Sequence, residues 1–318
     1  MMKKIELLIE KIKNAKSIAI SGHKNPDGDA LCSVLALKKI IELNFGKKPV
    51  VIYDGNIPKD LDNVPLRDSA CFYAHIPEKT KYDLYLLVDY GTRKHLGGVE
   101  KFVNSADFVV EFDHHNNDDL VGTLCFDDTE KAAAAQIIYD IARKAKFEID
   151  DDIRNLLAIG IITDTGNFKF VRHNDVLLDM ASLVDAGVCI ANLVNLLNNK
   201  DKKTVLVESK AASEAEFFMK GRLAIATIGR KDYKKLDGRG ELVLRVLGEI
   251  HGVDYVVLLK EQRENQVGIS FRSRNKPINK IAESFGGGGH LYAAGAVVQD
   301  SLENVHEQVI NAFKEMLK

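Results

Sequence analysis

Neither sign of charge prevails in this chain: 44 Lys and Arg stand against 46 Asp and Glu, a formal net charge of -2. A near-neutral chain has no general attraction for a polyanion. That excludes a bulk-electrostatic nucleic-acid coat and leaves any phosphate chemistry to local groups. Cysteine is scarce as well. Cys32, Cys71, Cys125 and Cys189 are scattered singly, with neither the close pairing of a thiolate metal site nor the density of a disulfide framework, so a reducing cytoplasm is the expected setting. No apolar run approaches the roughly 18 residues that span a bilayer, and no membrane is expected. The start, MMKKIELLIEKIKNAK, carries Glu6 and Glu10 within the stretch that a signal peptide would keep apolar. Its Ile5, Leu8, Ile9 and Ile12 instead mark one face of an amphipathic helix. Internal repeats and low-complexity segments are lacking too, and with only 6 prolines the composition is that of a globular protein.

The 318 residues suffice for roughly two domains, each able to bury a core without staples. The first half alternates short apolar runs with helical patterns, which predicts an α/β domain with a doubly wound, mainly parallel sheet. Strands are expected over 17–21, 49–53, 84–88 and 108–112, with helices over 30–43 and 131–146. We place this domain at 1–187, a linker helix or hinge with a polar DKK at 188–205, and a smaller mixed α/β domain at 206–318. In the latter, strands are expected over 223–228, 255–260 and 267–274 and helices over 239–250 and 277–285.

In an open parallel sheet ligands bind beyond the carboxyl ends of the strands, so the residues that follow each apolar run carry the information. SIAIS runs into Gly22-His23-Lys24-Asn25-Pro26-Asp27-Gly28-Asp29, LYLLV into Asp89, and FVVEF into Asp113-His114-His115; the apolar helix LLAIGIIT ends on Asp164. One Asp after a strand more often caps a helix or closes a turn than binds a metal. Four such segments converging on one sheet edge reverse that balance. Gathering Asp27, Asp29, Asp89 and Asp164 without a cation would be costly or would force some of them to protonate. Carboxylates with imidazoles and no nearby Cys form the ligand set of manganese, iron or catalytic zinc. About six ligands exceed the needs of one ion with open positions, so two divalent ions about 3.5 to 4 Å apart are expected, a pair suited to displacement at phosphorus. The four cysteines and His75, His173, His251 and His306 have no motif around them and read as structural or solvent-exposed.

The second domain has its own constellation. In the run from Val267 to Arg274, alternation puts Val267, Ile269 and Phe271 on the core face and Gly268, Ser270, Arg272 and Arg274 on the other. Two guanidiniums on one face make a grip for phosphate or carboxylate. The next helix stops at Gly286, Gly287, Gly288, Gly289 and His290. Such a glycine run alone reads as a flexible loop or a helix C-cap; beside Arg272, Arg274 and His290 it reads as backbone amides open to a ligand.

These segments resemble the DHH phosphoesterase family, and the two halves together resemble its nanoRNase/pAp phosphatase branch, the bifunctional oligoribonucleases. GHKNPDGDA, Asp89, the triplet Asp113-His114-His115 and TDTGNF around Asp164 match the N-terminal motifs; SFRSR followed by GGGGHLYAAGAVV matches the DHH-associated C-terminal domain. The resemblance implies that His23, Asp27 and Asp89 hold one metal, and that Asp29, a bridging Asp89, His114 and Asp164 hold the second, with Mn2+ as the expected ion. It further implies that Asp113 orients His114 and that His115 faces the scissile phosphate as hydrogen-bond donor or acid. Arg272, Arg274, His290 and the glycine amides would fix the terminal nucleotide, with the active site in a cleft between the domains. Departures are His95 in place of an arginine, Cys32 in place of a glycine, and KAAAA at 131–135 in place of a Ser/Thr-rich helix start; they bear on substrate preference.

The expected function is hydrolysis of RNA of about two to five nucleotides to mononucleotides, and of 3'-phosphoadenosine 5'-phosphate (pAp) to AMP, with no long nucleic-acid track. A phosphodiesterase for cyclic or linear dinucleotides such as c-di-AMP and pApA is the alternative, followed by a non-catalytic nucleotide sensor. A homodimer is compatible with the sequence. A dinucleotide-dependent dehydrogenase is disfavoured, because His and Asp stand where the Gly-rich pyrophosphate turn would be.

Overall fold

The computed structural model describes residues 1–116, 119–171, 173–236 and 240–317, apart from the side chains of Asp60 and His290. The chain forms two compact units, residues 1–199 and 200–318. In the first, the elements in order are α1 (Met2–Asn14), β1 (Ile18–Ser21), α2 (Gly28–Phe45), β2 (Val50–Tyr53), β3 (Ala70–Phe72), β4 (Leu84–Val88), α3 (Glu100–Ser105), β5 (Val109–Asp113), β6 (Leu124–Asp127), α4 (Ala134–Ala145), α5 (Asp151–Asp164), α6 (Asp175–Asp185) and α7 (Ile190–Leu197).

Its six strands are all parallel, in the order β3-β2-β1-β4-β5-β6. The order reverses at β1, which places a crevice at the carboxyl ends of β1 and β4. The sheet is doubly wound, as expected, with two short strands, β3 and β6, that the apolar pattern had not marked. One face carries the large core of α1, α2, α4 and α5; the other is covered by Tyr85, Leu87, Tyr90 and the α3 residues Phe102 and Val103. Helix α2 is buried almost all round from Gly28 to Leu37, which suits a helix packed between sheet and a second helix layer. Two glycines set that layer. A Cβ on Gly28 would lie 2.4 Å from Thr163 Oγ1, and one on Gly160 would lie 2.7 Å from both Ala135 Cβ and Asp29 Oδ1.

The second unit contains α8 (Lys202–Ser213), β7 (Glu216–Phe218), β8 (Leu223–Ile228), α9 (Arg230–Tyr233), α10 (Glu241–Glu249), β9 (Tyr255–Arg263), β10 (Gln266–Ser273), α11 (Asn279–Ser284), β11 (Gly288–His290), β12 (Ala293–Val298) and α12 (Leu302–Met316). The start expected for α10, residue 239, lies outside the described residues. The sheet runs β11-β12-β10-β9-β8-β7, antiparallel except for the parallel pair β8 and β9. Val267, Ile269 and Phe271 do face a core, shared with α11 and α12. The opposite face is also packed, by Val207 and Ala211 of α8 and Val243, Leu244 and Leu247 of α10. Among the described residues no single helix is long and apolar enough to cross a membrane.

Candidate metal centre

The segments that leave the strand ends are bent by identifiable local chemistry. After β1, the chain reaches Asp27, which caps α2: its Oδ1 accepts from the backbone N–H of Asp29 and Ala30, both at 3.1 Å. His23 Nε2 lies 3.7 Å from the same oxygen. Asp29 sits in the first helical turn and is buried; Oδ1 accepts from Ser33 Oγ at 2.9 Å and Ala135 N–H at 3.0 Å, and Oδ2 from Ala134 N–H at 2.6 Å. These last two donors are the first N–H groups of α4, whose own preceding residue, Ala133, offers no side-chain cap. The start of α4 thus meets Asp29 through backbone donors alone.

Past β4, Asp89 adopts φ +52°, a left-handed conformation uncommon outside glycine, while its N–H stays paired with Phe112 O at 2.9 Å. The twist turns the carboxylate off the strand and into the crevice. Its Oδ1 lies 3.4 Å from His114 Nε2 and 3.5 Å from His115 Nδ1. His114 Nε2 is also 3.4 Å from Asp164 Oδ2, at the end of α5.

Three sets of ligand atoms thus lie within 4.8 Å of one another: His23, Asp27 and Asp89; Asp29, His114 and Asp164; and Asp89, His114 and His115. The residues expected from the strand ends come together, and Asp89 joins two of the sets. The donor set fits divalent cations. It consists of carboxylate oxygens and imidazole nitrogens, and Asp89 Oδ1 is buried with no hydrogen-bond partner among the described residues.

The electrostatics carry the same message. Burial, then repulsion from Asp89, pushes Asp29 up to about 7. Asp164 is raised well above the carboxylate range by burial and by Asp29, Asp89 and Asp27, against the pull of His114. Burial alone would lower His23 and His114, but the neighbouring carboxylates, Asp27 for the first and Asp89 and Asp164 for the second, raise them to about 9 and about 10. Protons thus take up the charge that cations would otherwise neutralise.

Asp113 departs from its expected role. Its Oδ1 accepts from His115 N–H at 3.0 Å and lies 2.7 Å from His115 Nδ1, while Oδ2 accepts from the N–H of Tyr90 and Gly91 at 3.1 and 2.8 Å. The chain turns back on Asp113 within two residues, so the positioning expected for His114 falls to His115. Although burial opposes it, the Asp113 contact raises the His115 pKa, and His115 in turn lowers that of Asp113. His95, which sequence reasoning treated only as a departure, borders the site: a Cβ on Gly91 would touch both His95 Nδ1 and His115. Burial and the charge of His23 lower its pKa.

In the second unit the expected grip is tied up within the chain. Arg272 Nη2 donates to Glu241 Oε1 at 3.1 Å; Arg274, just past the end of β10, donates to the carbonyls of Gly248 and Ile250 at the end of α10, at 2.7 and 3.2 Å. The glycines form structure rather than an open loop. Gly286, at φ +72°, follows the end of α11, and a Cβ on Gly287 would meet Gly295 O at 2.0 Å. Gly288 and Gly289 begin β11, which pairs with β12; a Cβ on Gly288 would meet open space. The side chain of His290 lies outside the described residues.

Residues 17–161 match the DHH family, N-terminal domain, and residues 220–318 the DHHA1 domain. A Thermus thermophilus protein named bifunctional oligoribonuclease and PAP phosphatase NrnA is 30% identical over 319 residues, covering 99% of this chain and 94% of its own. A Streptococcus mutans protein named probable bifunctional oligoribonuclease and PAP phosphatase NrnA is 27% identical over 324 residues, 100% of both chains. The crystal structure of an exopolyphosphatase-related protein from Bacteroides fragilis has the same fold, with a TM-score of 0.90 over 100% of this chain and 98% of that one at 20% identity.

Proposed function

Since the chain belongs to the DHH family, we propose that it is a metal-dependent hydrolase of short oligoribonucleotides, about two to five nucleotides long, and of pAp. The observation that carries this reading is the gathering of three carboxylates and three imidazoles around Asp89 at the carboxyl ends of adjacent strands. Likeness to oligoribonuclease and PAP phosphatase proteins along the whole chain narrows the substrate.

In this reading His23, Asp27 and Asp89 hold one ion and Asp29, Asp89, His114 and Asp164 the other, Mn2+ being the ion that suits an all-oxygen and nitrogen set. When bound, two such ions would polarise the phosphate and lower the pKa of the attacking water. The chain's own groups do the rest. Asp113 holds His115 in place and favours its protonated form, which suits it to give a hydrogen bond or a proton to the leaving oxygen. Arg272, Arg274 and the amides of 286–290 hold the nucleotide end, a substrate phosphate competing with Glu241 for Arg272.

Turnover of a dinucleotide, a 24-nucleotide RNA, pAp and c-di-AMP by Mn2+-loaded protein tests the proposal. The dinucleotide and pAp should be cleaved fastest. Preference for the long RNA, or turnover of c-di-AMP alone, would overturn it.

A further inference from the structure

A second group of ligand-type side chains stands apart from this centre, on the sheet face away from α2 and α4. β5 and β6 pair with Glu111 beside Cys125 and Asp113 beside Asp127. Val110, Phe112, Leu124 and Phe126 point into the large core, so alternation puts Glu111, Cys125 and Asp127 together on the opposite face. One oxygen or sulfur of each lies within 4.8 Å of those of the other two. β6 is the edge strand, and Asp127 is exposed at its end.

Glu111 is fully buried, and only one of its oxygens is accounted for. Oε2 accepts from the Tyr90 hydroxyl at 2.9 Å and from the N–H of Val121 and Gly122 at 3.0 and 2.6 Å. Gly122 permits that approach, since a Cβ there would lie 2.8 Å from Glu111 Cγ. Oε1 is buried and has no hydrogen-bond partner among the described residues. A buried carboxylate oxygen left in that state is costly, and a cation is the ligand that both its charge and its two neighbours would satisfy.

We propose that Glu111 Oε1, Cys125 Sγ and an Asp127 carboxylate oxygen form a further cation site, for a thiophilic divalent ion of the zinc class. The sulfur separates it chemically from the all-oxygen and nitrogen centre: a thiolate favours zinc over manganese or magnesium. In the cation-free chain the surroundings favour the protonated forms of Cys125 and Asp127. Burial and then the contact with Glu111 push the Cys125 thiol up to about 12, and burial and the charge of Glu111 push Asp127 up to about 7. A bound ion displaces these protons to solvent. Tyr90 links the site to Asp113, with its hydroxyl on Glu111 and its N–H on Asp113. The inference does not depend on the substrate proposed above.

Co2+ titration of the full-length chain, followed at the thiolate-to-cobalt charge-transfer band, tests it. The other centre contributes no sulfur, so it adds nothing to the band. It should saturate with one thiolate-bound ion per chain, be bleached by Zn2+, and vanish in Cys125→Ser. In Asp127→Asn, a change at an exposed side chain, the Co2+ affinity should fall by about tenfold or more. Glu111→Gln should abolish the band; Asp127→Asn carries the test if that variant does not fold. No band in the wild-type chain, a band that survives Cys125→Ser through Cys71 or Cys189, or unchanged affinity in Asp127→Asn would overturn the proposal.

Discussion

Asp89 concentrates the chemistry of the first unit in one residue. It holds a left-handed backbone at φ +52°, and its Oδ1 is approached by two imidazoles. Strain of this kind persists where the surroundings fix it, here by the bond from Asp89 N–H to β5. The titration of its neighbours has a readable consequence. Asp29 is raised from 3.8 to about 7. It binds its proton more tightly in the folded chain, so between those values stability falls as pH rises. His23 and His114 are raised from 6.5 to about 9 and about 10. Their contribution is full below 6.5 and is lost as pH climbs through the folded values. All three make the cation-free centre weaker toward alkaline pH, where cations replace the lost protons. The rise in melting temperature on adding Mn2+ should therefore be larger at about pH 8 than at about pH 5. Differential scanning fluorimetry checks this, and equal shifts at both pH values would contradict it.

The elements place these residues through close helix packing. α2 and α5 meet at Gly28 and Gly160, where no Cβ fits, and α4 offers its first N–H groups to Asp29. Gly160→Ala would press on Ala135 and Asp29 together and should cost about 1–3 kcal/mol of stability. Mn2+ affinity should fall with it, as urea denaturation and calorimetric titration would show; a variant that retains both would show that the packing is not what holds Asp29. This layer was only partly legible. Residue types at strand ends pointed to side chains that the fold gathers, because an Asp or His after an apolar run is conspicuous. β3, β6, β7, β11 and β12 went unmarked: the first four are strands of three or four residues at a sheet edge and carry little alternation, and β12 is a run of small residues, AAGAVV. The neighbours of Glu111 were hidden for the same reason: a register that sets it beside Cys125 belongs to the sheet, not to local spacing. Asp113 was assigned to the wrong imidazole because a turn of two residues decides the matter. In the second unit, the glycine run read as backbone amides open to a ligand; its close approach to β12 is a tertiary fact.

At the scale of the whole molecule the proposed function divides the work between the two units. The ligand-type cluster around Asp89 lies entirely within residues 1–199, and the arginines lie within 200–318. Arg272→Ala should accordingly raise KM for pAp and dinucleotide by about tenfold or more while Mn2+ affinity stays unchanged. Steady-state kinetics with calorimetry on the same preparation checks this, and an unaltered KM would remove Arg272 from substrate binding. A near-neutral chain fits the same division, since a short substrate needs a few placed cations and not a long basic track. The proposed function places phosphoester hydrolysis at a metal centre formed by the cluster around Asp89. It is tested most directly by comparing wild type with Asp89→Asn, counting bound Mn2+ and dinucleotide turnover on the same samples. The wild-type chain should bind two ions and turn over, and the variant should lose at least one ion and about a hundredfold or more in rate. Undiminished turnover in Asp89→Asn would contradict it.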